Sequence, residues 1–315
     1  MLLDTNQKEF ALHLTPERRL ELARLLSRLD RPALSGAAPL PTFTRPSGEA
    51  FRIGVTGPVG AGKSTLINRL IREYRARNMT VGVIAVDPSS PFTGGAVLGD
   101  RIRMAELVLD EGVFIRSLAT RGAFGGLAAT AVESADLLEA FGFDRVIIET
   151  VGVGQTEVDI VEACDATVVV LEPASGDDVQ AIKAGLMEIA NLFIVNKMDI
   201  KGAKRYLRDL ETAIDLRSSE PKASVLPVQA VSGEGMTEVY AWLEDYYKNV
   251  QTNGRLNLRR AGQRIRRIRK NAEEILIRQL WSVVPAGEVE ALAGSELSLQ
   301  TAAQRIADKL LTENG

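Results

Sequence analysis

The sequence predicts an α/β protein, with a mainly parallel sheet flanked by helices and helical extensions at its N- and C-terminal ends. Three observations predict it. Between Phe51 and about Asn249, seven short apolar runs alternate with helical patterns: "FRIGVT", "VGVIAVD", "VFIRSL", "RVIIET", "ATVVVLE", "NLFIVNK" and "SVLPVQA". The runs are near-continuous in Val, Ile and Leu rather than alternating, which suits strands covered on both faces. The first run leads through a glycine-rich turn into the helical stretch "STLINRLIREYRAR", a strand, turn and helix in succession.

Taken in order, Thr15 and Pro16 offer a helix cap and a first-turn proline, and Leu22, Leu26 and Leu29 line one face of the short helix that follows. Residues 31–50 collect Pro, Gly, Ser and Ala, so residues 1–50 read as a helical extension and linker. Residues 51–250 hold the alternating strands and helices. In residues 251–315, Leu258, Ala261, Ile265, Ile268, Ala272 and Ile275 step by three and four, an apolar seam on a long helix with arginines packed around it. Ala302, Ala303, Ile306 and Leu310 supply another amphipathic helix.

A chain of 315 residues, 45% hydrophobic, can bury one large core plus appendages. The formal charge of −3 gives no global attraction to nucleic acid or anionic lipid. "MLLDTNQKEF" lacks the basic start and apolar run of a signal peptide, and no stretch approaches the ~18 apolar residues of a membrane span, so a cytoplasmic chain with no membrane partner is expected. Cys164 is the single cysteine and His13 the single histidine. That excludes an intramolecular disulfide and leaves almost no donors for a soft-metal site. Cys164 reads as a small buried hydrophobe.

Chemistry concentrates at the carboxyl ends of the strands, where such a sheet places its binding crevice. Gly57-Pro58-Val59-Gly60-Ala61-Gly62-Lys63-Ser64 matches the phosphate-loop pattern in full, in the strand–loop–helix context that the pattern needs. Its backbone N–H groups converge on phosphates, aided by the positive end of the following helix. Lys63 is expected to reach the β- and γ-phosphates and the Ser64 hydroxyl to sit on Mg²⁺, with Thr65 as a further phosphate contact. Asn196, Lys197 and Asp199, in "IVNKMD", select the base. A carboxylate at Asp199 can accept both N1–H and the exocyclic N2–H of guanine, a pairing that adenine cannot offer, and the Lys197 stem can lie on the ring face. GTP and GDP are therefore expected over ATP. "QAVSGEG" supplies a loop over the base through Gln229, Ala230 and Val231, with the Ala230 amide near the guanine oxygen.

Three carboxylates end or follow strands on that side. Asp87 closes "VGVIAVD", Asp100 follows "PFTGGAVLG" and Glu149 closes "RVIIE". Octahedral Mg²⁺ prefers few carboxylates and several waters, so Asp100 and Glu149 are assigned to it, and Asp87 to orienting the attacking water. Gly152 in "ETVGVGQTE" can approach the γ-phosphate by its backbone, with Gln155 just beyond. The loops from Pro91 to Asp100 and from Val151 to Glu157 are expected to respond to GTP against GDP.

Together, "GPVGAGKST", "VDPSSPFTGGAVLGDRIRM", "ATRGAFGGLA", "IIETVGVGQTEVDI", "GDDVQAIKAG" and "VNKMD" resemble the MeaB/ArgK family of phosphate-loop GTPases, and "SLQTAAQRIADKLL" resembles that family's C-terminal end. The resemblance implies a GTPase chaperone for adenosylcobalamin-dependent acyl-CoA mutases, chiefly methylmalonyl-CoA mutase, that gates cofactor loading, protects the mutase and helps eject damaged cofactor. It also implies a homodimer formed through the C-terminal helices. On the family pattern, Asp87, Asp100 and Glu149 match the metal and catalytic acids, and the segment from Asp178 to Lys183 matches a third switch. The chain departs from it at Ala123 and Phe124, where the family commonly has His and Leu.

Three other readings compete. A metal-insertion GTPase delivering nickel needs His and Cys donors, and this chain has a single residue of each, far apart in sequence. A kinase of a transport system needs an acceptor pocket of which the sequence gives no sign. "RLNLRRAGQRIRRIRK" is basic enough for RNA, but its apolar seam favours a packed helix with a solvated basic face, so nucleic acid is not expected as a partner.

Overall fold

The sheet grows outward from Phe51–Thr56 (β1), all six residues of which are buried. In the computed structural model, which describes residues 15–29, 50–87, 107, 109–119, 126–150, 160–173, 184–217 and 222–312, β1 is joined by Val81–Asp87 (β2), Val113–Ala119 (β3), Arg145–Glu149 (β4), Ala166–Leu171 (β5), Leu192–Val195 (β6) and Ser224–Pro227 (β7). The seven form one sheet in the order β3-β2-β4-β1-β5-β6-β7, and every pairing is parallel. The seven apolar runs are these seven strands.

The order explains where a ligand can sit. From β1 the early crossovers run toward β2 and β3 and the later ones toward β5, β6 and β7, so the direction of winding reverses beside β1 and leaves a crevice at its carboxyl end. The register puts Glu149 opposite Val55, and Thr56 opposite Val169. Thr150 Oγ1 donates to Thr56 Oγ1 at 2.8 Å, tying the end of β4 to the end of β1.

Continuous apolar strands need two covers, and they have them. On one side, Val81 and Val83 of β2 and Ile53 and Val55 of β1 pack with the helices Lys63–Arg75 (α2, after Pro16–Leu29, α1) and Met236–Thr252 (α6). On the other, Ile84 and Val86 pack with α1 and with Gly126–Ala140 (α3). Near the far edge, Phe193 and Val195 pack on Ala203–Asp215 (α5, after Ala184–Ile189, α4). In α1 the buried leucines are Leu22, Leu25 and Leu26, whereas Leu29 packs only partly buried against that core. The expected face is the one that packs, and Leu25 widens it, because positions 22, 25, 26 and 29 fall within one 3.6-residue stripe. Cys164 is fully buried, its Sγ 3.4 Å from Thr167 Oγ1, and a side chain at Gly54 would meet that sulfur at 2.8 Å.

The remaining helices are Arg255–Val283 (α7), Glu288–Ala293 (α8) and Leu299–Thr312 (α9). The chain divides into two compact units, one running through Asn257 and the other starting at Leu258. Leu256 belongs to the core of the first, 4% exposed. Within the second, Ile306 of α9 is buried and Lys309 pairs with Glu288 at 2.5 Å. The seam residues Leu258, Ile265, Ile268 and Ile275 lie exposed on α7.

Candidate functional site

The turn between β1 and α2 is shaped by close approach. Gly57 has φ +136° and passes so near β5 that a Cβ would lie 2.0 Å from the Val170 carbonyl oxygen. Gly62 has φ +92°, and a Cβ there would lie 2.3 Å from Asn196 Nδ2. An L side chain at Gly57 would run into the β5 backbone, and one at Gly62 would be strained and would have to displace Asn196. Pro58, Val59, Gly60 and Ala61 complete the loop, with Val59 exposed and Ala61 buried. Lys63, 7% exposed, donates from Nζ to the Gly57 carbonyl at 2.8 Å and the Pro58 carbonyl at 3.0 Å, so its ammonium stands over the loop. Thr65 is exposed.

Ser64 Oγ donates to Glu149 Oε1 at 2.8 Å, which brings two of the expected metal ligands together across the switch point. Glu149 is buried at the end of β4. Asp87 holds the last position of β2, in register with Ala119. Asp100, Gly152, Gln155, Asp178 and Lys183 lie outside the described residues, as do Ala123 and Phe124.

The base-side motif is physically fastened to the phosphate side. Asn196, 2% exposed, donates from Nδ2 to the Ala61 carbonyl at 2.8 Å and accepts the Ala230 N–H on Oδ1 at 3.0 Å. The Ala230 amide, expected near the guanine oxygen, is thus bonded to Asn196 in this structure. Lys197 adopts φ +59°, and its Nζ pairs with Glu172, the residue after β5. Asp199 is exposed and lines a cleft of about 380 Å³ with Met198, Lys204, Val228, Gln229 and Glu238. Gln229 closes the following loop by donating its N–H to the Glu234 carbonyl at 3.0 Å, and Val231 is exposed at the tip.

Two residues at this site escape a reading of the sequence. Glu172 holds the motif lysine, and Arg69 on α2 donates to the carbonyls of Ala230 and Val231. Both sit beside motifs rather than in them, and a charged residue on a helix face or at a strand end ordinarily reads as solvated surface.

The arrangement can grip a nucleotide along its length: glycine-rich backbone and an ammonium for phosphates, a hydroxyl with a carboxylate for a hard cation, and a carboxylate beside a lysine stem for a base. The family model described as "Methylmalonyl Co-A mutase-associated GTPase MeaB" matches residues 30–284. The chain belongs to the MeaB family. As a MeaB-family member it is a P-loop GTPase and binds a guanine nucleotide. A relative from Pyrococcus abyssi is 47% identical over 250 residues, 78% of this chain and 74% of its own length. The "Methylmalonic aciduria type A homolog, mitochondrial" of Mus musculus is 39% identical over 219 residues, 68% of this chain and 53% of the mouse protein. Among solved structures, one described as "Crystal structure of LAO/AO transport system kinase" superposes with a TM-score of 0.66 at 26% identity, covering 98% of this chain and 99% of its own. Among the described residues, no three His, Cys, Asp or Glu side chains cluster to hold a metal, and no helix is long and apolar enough to cross a membrane.

Proposed function

We propose that this MeaB-family GTPase serves an adenosylcobalamin-dependent acyl-CoA mutase, methylmalonyl-CoA mutase or a close relative, as a cytoplasmic homodimeric chaperone that gates cofactor loading, protection and reactivation. The family's description and the mouse relative supply the partner class. The observation that carries the reading is the bridge made by Asn196. By bonding Ala61 on the phosphate loop and Ala230 on the base loop, one buried amide links the two ends of the site, as holding one nucleotide along its length requires. We assign the segments around Asp100, Gly152, Gln155 and Asp178 to Lys183 as the switches that report the γ-phosphate.

Within the site, Lys63 offsets phosphate charge, and Asp87 orients the attacking water. Ser64, Glu149 and Asp100 are hard oxygen donors that suit Mg²⁺, and the Ser64–Glu149 contact already pairs two of them. When bound, the ion supplies charge neutralisation on the phosphates. Glu149 also fixes the Ser64 hydroxyl, and the lysine stem of Lys197 is steadied by Glu172 for stacking on the base.

The deciding experiment mixes the purified chain with a cobalamin-dependent mutase and follows phosphate release from GTP and from ATP. The expected result is a stable complex, hydrolysis of GTP alone, and acceleration by the mutase. ATP turned over as readily as GTP, or GTP and GDP forms that the mutase cannot tell apart, would defeat the reading. A transport-system kinase is the second reading, favoured by the superposition on a structure described as such a kinase. With γ-labelled GTP it would leave label on an acceptor, whereas the chaperone releases only free phosphate.

A further inference from the structure

The helix α2 presents Lys63 and Ser64 in its first turn, and six residues beyond Lys63 the same helix reaches the other end of the site. Arg69 donates from Nε to the Ala230 carbonyl at 3.1 Å and from Nη2 to the Val231 carbonyl. We propose that Arg69 is a positioning residue for base recognition, holding the loop over the base from the phosphate-loop helix without touching the nucleotide. The proposal rests on the assignment of Gln229 to Val231 to the base.

The loop needs such a hold. Hydrogen bonds within it, among them Gln229 N–H to Glu234, Gly233 N–H to Gln229 and Ser232 Oγ to Gln229, close it upon itself but do not fasten it to the sheet. Its tip is solvated, with Val231 76% exposed. Ala230 is the anchored point, gripped at its N–H by Asn196 Oδ1 and at its carbonyl by Arg69. Bonds from a cation are stronger than those between neutral groups. Two successive carbonyls suit the fixed, planar fork of a guanidinium, which loses less freedom in making both bonds than a rotating lysine ammonium on a flexible stem. Arg69 thereby ties the pitch of the base loop to the helix that carries Lys63 and Ser64, as Asn196 ties it to the phosphate loop.

The consequence is one-sided. Releasing the loop weakens contacts to the base, which GTP and GDP share, and leaves the phosphate side alone. In the full chain, Arg69→Ala is expected to raise the KM for GTP and the Kd for GDP by about tenfold each, the loss of a charged hydrogen bond, while kcat stays within about twofold. Its preference for GTP over ATP falls. Inhibition by inorganic tripolyphosphate, which has no base, stays at the wild-type level, and Arg69→Lys recovers part of the KM. Unchanged KM and Kd in Arg69→Ala would overturn the proposal. So would a weakening of tripolyphosphate equal to that of GTP, because the damage would then be general. If the wild-type chain shows no preference for GTP over ATP, the base-site reading itself fails. If it shows the preference and Arg69→Ala keeps it with wild-type KM, only the role of Arg69 fails.

Discussion

Gly62 shows how much one residue decides. Its left-handed backbone and its contact with Asn196 Nδ2 leave no room for a methyl group: Gly62→Ala either shifts the phosphate loop or expels the Asn196 side chain, and both outcomes break the bridge to Ala230. GDP and GTP affinity are expected to fall together by about tenfold or more, from lost hydrogen bonds and backbone strain, measurable by titration with a fluorescent guanine nucleotide. The acids behave differently. Asp87→Ala is expected to keep GTP binding within a few fold and lower hydrolysis by about 100-fold or more, the scale of a lost proton-handling or water-orienting group, in a single-turnover assay. An unchanged rate removes Asp87 from the catalytic role. At this scale the motif residues were legible because their chemistry needs fixed types at fixed spacing, as with Gly57 to Ser64. Arg69 and Glu172 were not, because what they do depends on which loops the fold brings against them.

Among the elements, β4 and α6 are joined by a buried ion pair: Arg145 and Glu244 bond at 2.6 Å, with side chains 7% and 12% exposed. The Arg145 guanidinium also lies 5.3 Å from the ring centroids of Tyr74 and Tyr247, which ties α2 into the same cluster. Burial, with the Glu244 carboxylate nearby, pushes the Tyr74 phenol above its ordinary value, so the ring stays neutral beside the pair. Removing one partner strands a charge in the core. Glu244→Ala is expected to lower stability by roughly 3–5 kcal/mol, whereas Arg145→Met with Glu244→Leu recovers most of it, because a well-packed apolar pair avoids the desolvation cost. Urea unfolding of the two variants separates these outcomes; equal losses would mean that packing, not charge, dominates there. The pair was invisible in the sequence, since 99 residues separate its members. The strands were visible because a parallel sheet buried on both faces demands continuous apolar runs, and no other element here imposes so simple a pattern.

At the scale of the whole molecule, the apolar seam of α7 was legible as a pattern but not as an interface. Periodicity says that Ile265, Ile268 and Ile275 share a face; it does not say what covers them. In the structure these three side chains are 52%, 61% and 51% exposed, and Arg264, Arg266, Arg267 and Arg269 surround them in sequence. Burying an isoleucine fully is worth about 1.5–3 kcal/mol, so a seam of several can hold two copies together, while the arginines keep the separated helix soluble. The 315-residue chain is therefore expected to run as a dimer in light scattering at micromolar concentration. Ile265→Asp with Ile268→Asp places carboxylates in the seam and is expected to give a monomer whose basal GTP hydrolysis is unchanged, because neither residue belongs to the nucleotide site. Changing the arginines instead should leave the dimer intact if the apolar seam drives association. A wild-type monomer, or a double variant that stays dimeric, would assign the exposed isoleucines to some other contact.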